Sequence, residues 1–101
     1  MSQIEKNKSV VRRLLERVVN TGDVELLSDL IAPDCVETDG KVRIVSGVSG
    51  MVEHVRGVRS VYPDLHITIQ RQIAEGEWVA TAIVADMLEP FLEAGSLKPA
   101  P

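Results

Sequence analysis

The chain has 101 residues, enough for one domain with a modest core. Its 45% hydrophobic and 26% charged residues are globular composition, which excludes intrinsic disorder as the general state. A net charge of −4 argues against a nucleic-acid partner, because neutralising phosphates needs clustered Lys and Arg.

Other classes fall away on composition too. The one basic group, Arg12, Arg13 and Arg17, is interrupted by Glu16 and reads as a solvated helix face. No apolar run approaches the length of a membrane span, so no membrane partner is expected. Residues 2–8 are polar and no apolar stretch follows them, so the cytoplasm is the expected compartment. Cys35 is the only cysteine and reads as a small core residue. Tyr62, Trp78 and Phe91 are the only aromatics, so the core is aliphatic and any pocket should be too.

In chain order, the first element is a helix. Val10/Val11, Leu14/Leu15 and Val18/Val19 recur every four residues as an apolar stripe. Ser2 and Glu5 fit a capping box at its start, and Gly22 fits a left-handed stop at its end. A shorter helix follows, capped by Asp23, buried through Leu26, Leu27, Leu30 and Ile31, and ended by Pro33. From 35 to 45 the period changes, and Asp39-Gly40 between β-prone runs predicts a tight hairpin. Met51, Val52, Val55, Val58, Val61 and Tyr62 predict a third helix from about 49 to 61, stopped by Pro63.

Leu65, Ile67, Ile69 and Ile73 alternate with His66, Thr68, Gln70 and Gln72, which predicts a long strand with one buried face. Glu75-Gly76 turns the chain into a return strand, 78–85. That strand is apolar at nearly every position and is expected to be covered on both faces or central in a four-stranded sheet. After Asp86 the pattern fades. Leu88, Phe91 and Leu92 suit a short helical turn or an extended arm, and 95–101 reads as a tail. The whole is an α+β class domain over residues 1–101, divergent from about 88 onward.

Several of these stretches resemble a known family. Residues 7–16 (Asn-Lys-Ser-Val-Val-Arg-Arg-Leu-Leu-Glu), then 19–23 (Val-Asn-Thr-Gly-Asp) and 30–36 (Leu-Ile-Ala-Pro-Asp-Cys-Val), look like the opening of SnoaL-like polyketide cyclases, members of the nuclear transport factor 2-like superfamily. Residues 50–55 (Gly-Met-Val-Glu-His-Val) followed by 62–65 (Tyr-Pro-Asp-Leu) look like that family's third helix and the approach to its long strand. The resemblance covers roughly residues 4–85 and implies a cone-like curved antiparallel sheet packed against about three helices, with an apolar cavity. Several family members close rings by aldol chemistry on polyketide esters, others act on steroids or epoxides, and many only bind. The resemblance also implies about three strands beyond Asp86, carrying a catalytic acid, and a histidine in a Gly-Thr-His-like turn. Here Met87-Leu88-Glu89-Pro90-Phe91 occupies that turn and the cone should be shortened at its C-terminus. Glu37-Thr38 stands where members often show Asp-His. The resemblance therefore carries over the fold and not the active site.

Candidate chemistry must come from the residues themselves. Asp86 ends the most apolar strand, where desolvation would raise a carboxylate's pKa and suit it to abstract an acidic C–H proton. His66 begins the partner strand, so the hairpin should bring the two together as an acid/base pair. Glu37 on the first strand, Val55 and Tyr62 on the third helix and Trp78 on the return strand are the residues expected to line a ligand cavity. The competing structural readings have Asp86 running into solvent, Asp39 serving the turn and His54 as an exposed or half-buried helix residue. No helical pair of histidines, phosphate loop or nucleophile elbow is present, so neither metal nor cofactor is expected.

Two functions are consistent with this. One is a hydrophobic small-molecule site with acid/base chemistry. The other is a non-catalytic association module, in which the unfinished sheet edge or residues 78–92 form a homodimer.

Overall fold

The computed structural model describes residues 2–40 and 42–87. Their architecture is α+β, with three helices and antiparallel strands. Helix α1 spans Gln3–Arg13 and continues without a break as a π-helical stretch, Leu14–Val19. A 3₁₀ turn at Val24–Leu26 leads into α2, Leu27–Leu30. Strands β1 (Val36–Asp39) and β2 (Val42–Ser46) form one hairpin, α3 spans Gly47–Val61, and β3 (His66–Glu75) and β4 (Trp78–Asp86) form a second hairpin.

Local chemistry sets these boundaries. Ser2 Oγ accepts from the Glu5 amide at 3.1 Å, the first half of the expected capping box. Gly22 stops the helix at φ +77, a conformation that costs a residue with a Cβ. Helix α3 begins two residues earlier than the apolar pattern suggests, and the Gly47 amide at its start bonds the Cys35 carbonyl at 2.7 Å. In both hairpins the glycine opens the turn: Asp39 pairs with Val42 and Glu75 pairs with Trp78, one residue off the expected placement.

The core is where the helices meet. Val18 and Leu27 are fully buried, packed with Leu30, Met51 and Val55, and Leu65 and Ile67 are buried at the start of β3. The stripe of the first helix is thus buried only at its C-terminal end; α1 itself buries no residue completely.

Three sequence expectations about the sheet need correction. The described strands form two separate two-stranded sheets and not one four-stranded sheet. The return strand β4 is neither central nor covered on both faces; most of it is exposed. And the alternation of β3 does not run through to Ile73. A bulge between Ile69 and Arg71 inserts one residue, so the buried phase passes from Ile67 and Ile69 to Gln72 and Ala74, and Ile73 turns outward at 59% exposure. An extra residue flips every side chain beyond it to the other face, which no alternation read from sequence can reveal. The readings for Leu88, Phe91 and Leu92 lie outside the described residues.

Candidate functional site

Four elements line a pocket of about 250 Å³. The π-helical stretch contributes Leu14, Leu15 and Val19; α3 contributes Met51, His54, Val55, Val58 and Arg59; β3 and the residue before it contribute Ile67 and Leu65; β1 contributes Glu37. The π stretch matters because its wider turn changes which side chains of the helix face inward, a distortion common at functional sites.

The floor of the pocket is fixed by polar clasps. Asn20 acts as a surrogate strand neighbour for β3: its Oδ1 accepts from the Ile67 amide at 2.6 Å and its Nδ2 donates to the Ile67 carbonyl at 2.9 Å. That holds Ile67 inward. The Arg59 guanidinium donates to the carbonyls of Val19 (3.0 Å), Leu65 (3.3 Å) and Pro63 (2.9 Å), tying the helix end to the approach of β3. Those carbonyls occupy most of its donors, so Arg59 shapes the pocket wall.

Against the apolar lining stand one acid and one imidazole. Glu37 Oε2 and His54 Nε2 lie 3.9 Å apart, with side chains 39% and 37% exposed respectively, reachable from the pocket and from solvent. A carboxylate beside an imidazole can take a proton from one atom of a ligand and return one to another.

The sequence-derived candidates distribute unevenly around this geometry. Glu37 and Val55 line the pocket, and Val55 also belongs to the core. His66 and Asp86 are direct register partners, as the hairpin argument requires, but both are exposed, and His66 lies on the face of β3 opposite to buried Leu65 and Ile67. The desolvation on which Asp86 was selected is therefore not found. Tyr62 ends α3, half-buried, and does not contribute to the lining. Trp78 is 83% exposed and pairs with Glu75, about 26 Å of strand from Ile67 at 3.3 Å per residue. His54 was set aside as a helix residue, and no sequence signal marks it. Its meeting with Glu37 depends on how α3 packs against the β1–β2 hairpin. Among the described residues no group of three or more His, Cys, Asp or Glu side chains could hold a metal, and no helix is long and apolar enough to cross a membrane.

The family model for SnoaL-like polyketide cyclases matches residues 9–94, most of the chain. The chain belongs to this family. Solved structures agree on the fold of this SnoaL-like domain. IdmH from Streptomyces antibioticus, described as a "putative polyketide cyclase", is 27% identical with a TM-score of 0.66, over 79% of this chain and 63% of that one. A "putative polyketide cyclase" from Acidithiobacillus ferrooxidans is 26% identical with a TM-score of 0.70, over 86% of this chain and 64% of that one. AclR from Streptomyces galilaeus, described as a "putative hydroxylase", supports the fold alone at 22% identity and a TM-score of 0.68, over 82% of this chain and 60% of that one. This SnoaL-like chain spans less than two thirds of each of these three structures. No curated protein matches its sequence significantly.

Proposed function

We propose that this SnoaL-like domain binds a hydrophobic small molecule in the pocket beneath α3 and that Glu37 and His54 move protons on it, in the manner of a polyketide or ester cyclase. The observation that carries the reading is the Glu37–His54 pair set into a wall that is otherwise aliphatic apart from Arg59. Glu37 would take the proton from a carbon next to a carbonyl, and an N–H of His54 would donate a hydrogen bond to the oxygen where negative charge develops. An apolar surround strengthens both effects, since it lowers the local dielectric. The pocket lies just below the roughly 300–1,000 Å³ of most ligand sites, so it suits a small ligand or one end of a larger one. The neighbours described as polyketide cyclases favour a carbonyl-bearing ligand over other apolar compounds. His66 and Asp86 are the second pair to consider, favoured by their direct register but not by their exposure.

The test is a thermal-shift screen of aromatic and β-keto ester compounds, followed by turnover of any hit. Glu37→Gln should lower turnover by about 10²–10⁴ while leaving the melting temperature nearly unchanged. If Asp86→Asn abolishes turnover and Glu37→Gln does not, the chemistry belongs to the exposed pair. If no apolar compound raises the melting temperature, the ligand-site reading is wrong.

A further inference from the structure

Helix α3 carries one cation into the pocket wall. Arg59 lines the pocket and is half-buried. A guanidinium has five N–H donors, and the carbonyls of Val19, Leu65 and Pro63 take three of them, which leaves two. Among the described residues no carboxylate pairs with Arg59. Two exposed arginines do have such partners: Arg12 has Glu16 at 3.0 Å and Arg17 has Asp23 at 3.9 Å. A charge withdrawn from water is ordinarily paired, whereas an exposed one is already solvated and gains little from a partner. Here the pairing runs the other way. Arg12 and Arg17 have acids where they need them least, and the arginine in the cavity wall has carbonyls alone.

A second observation is where Arg59 stands relative to the Glu37–His54 pair. Met51, Val55 and Val58 form the apolar line that α3 turns to the pocket, at spacings of four and three residues. At about 100° per residue, His54 falls on one flank of that line and Arg59 on the other, about 7.5 Å apart along the helix axis. Glu37, the one carboxylate of the lining, stands with His54 and not with Arg59. The pocket thus presents an acid and an imidazole on one side, an aliphatic middle, and a cation on the other side. We infer that its ligand is an apolar keto acid. The ketone meets Glu37 and His54, the carboxylate accepts from the N–H groups of Arg59 that the three carbonyls leave, and a spacer of several carbons separates the two. This rests on the pocket being the ligand site proposed above and adds the charge of its occupant. A neutral ester would leave Arg59 with its carbonyls, whereas a carboxylate brings charge-assisted hydrogen bonds, roughly twice as strong as neutral ones and stronger still beside an apolar wall.

The probes are 4-benzoylbutyrate, an aryl ketone joined to a carboxylate by a short methylene chain, and its methyl ester, the same molecule without the charge. Calorimetric titration into the wild type should show the acid binding roughly ten-fold tighter or more, the worth of a hydrogen bond to a charged group. Arg59→Met should abolish that preference. Arg59→Lys keeps the charge but not the forked donor geometry, and should reduce it. Arg56→Gln, on the exposed side of the same helix, should leave it unchanged and controls for general attraction of an anion. Arg59→Met also cuts the ties to three carbonyls; if it does not fold, the wild-type comparison and Arg59→Lys still decide. Equal binding of acid and ester overturns the inference and leaves the pocket standing as an apolar ligand site. A preference for the acid that is undiminished in a folded Arg59 variant, or removed by Arg56→Gln, also overturns it and places the anion elsewhere. If neither compound binds, the inference fails together with the ligand-site reading.

Discussion

The two halves of the β3–β4 hairpin are built from similar residues and held by different forces. In the near half, Leu65 and Ile67 are 6% and 8% exposed beneath α3, and Asn20 grips the backbone of Ile67 on both sides. In the far half, Ile73 and Trp78 are 59% and 83% exposed, and the recorded ties to α1 are single side-chain hydrogen bonds: Gln72 to the Lys8 carbonyl at 3.1 Å and Asn7 to the Gly76 carbonyl at 3.3 Å. A fully buried aliphatic side chain stabilises by roughly 1.5–3 kcal/mol, whereas one such hydrogen bond nets roughly 0.5–1.5 kcal/mol. The near half is therefore a rigid wall, and the candidate site is built against it. The far half has fewer buried side chains to hold it. Hydrophobic content does not distinguish the two halves. The bulge after Ile69 does, because it decides which isoleucines face the helices.

The sharpest way to break this contrast is to remove the core that makes the near half rigid. Leu27 is fully buried among Val18, Met51 and Val55. Leu27→Ala should cost about 2–5 kcal/mol in urea denaturation, since the cavity can close only partly. A loss below 1 kcal/mol would mean that the helices repack freely and that the wall is not rigid.

Much of this core was legible in the sequence. The four-residue recurrence ending at Val18 and the Leu27/Leu30 pair mark it directly, because helical burial repeats locally and leaves a period. The first turns of that same stripe are less buried than the pattern implies: Val10 is 37% exposed, because nothing among the described residues packs fully over that end. The site was half legible. Glu37 and Val55 could be selected from their elements, but the partnership of Glu37 with His54 joins residues 17 apart through the packing of α3 against the β1–β2 hairpin. That is tertiary geometry, and a lone histidine on a helix gives no local sign of it. Asp86 shows the opposite error. An apolar strand suggested a desolvated end, whereas Asp86 is exposed.

A second test isolates the clasp. Asn20→Ala removes both hydrogen bonds and leaves the part-buried amide of Ile67 without its partner. The cost should be about 1–3 kcal/mol, more than one net hydrogen bond, because an unsatisfied buried donor loses its full desolvation energy. Asn20→Asp keeps the acceptor for the Ile67 amide but sets a carboxylate oxygen against the Ile67 carbonyl, so it should fall between wild type and Asn20→Ala. If all three proteins denature at the same urea concentration, β3 is positioned by apolar packing alone.

The smallest effect belongs at the far end, and its smallness is the informative result. Trp78 is the largest side chain in the described sheet, and truncating a buried tryptophan costs about 3–5 kcal/mol. At 83% exposure there is little burial to lose, so Trp78→Ala should change stability by no more than about 0.5 kcal/mol. Intrinsic fluorescence gives an independent reading from the same residue, because Trp78 is the only tryptophan: its emission should be that of a solvated indole before and after unfolding. A blue-shifted native spectrum together with a cost above 2 kcal/mol would show that the far half is covered. The two halves of the hairpin would then be equally buried, and the contrast that sets the candidate site at one end would fail.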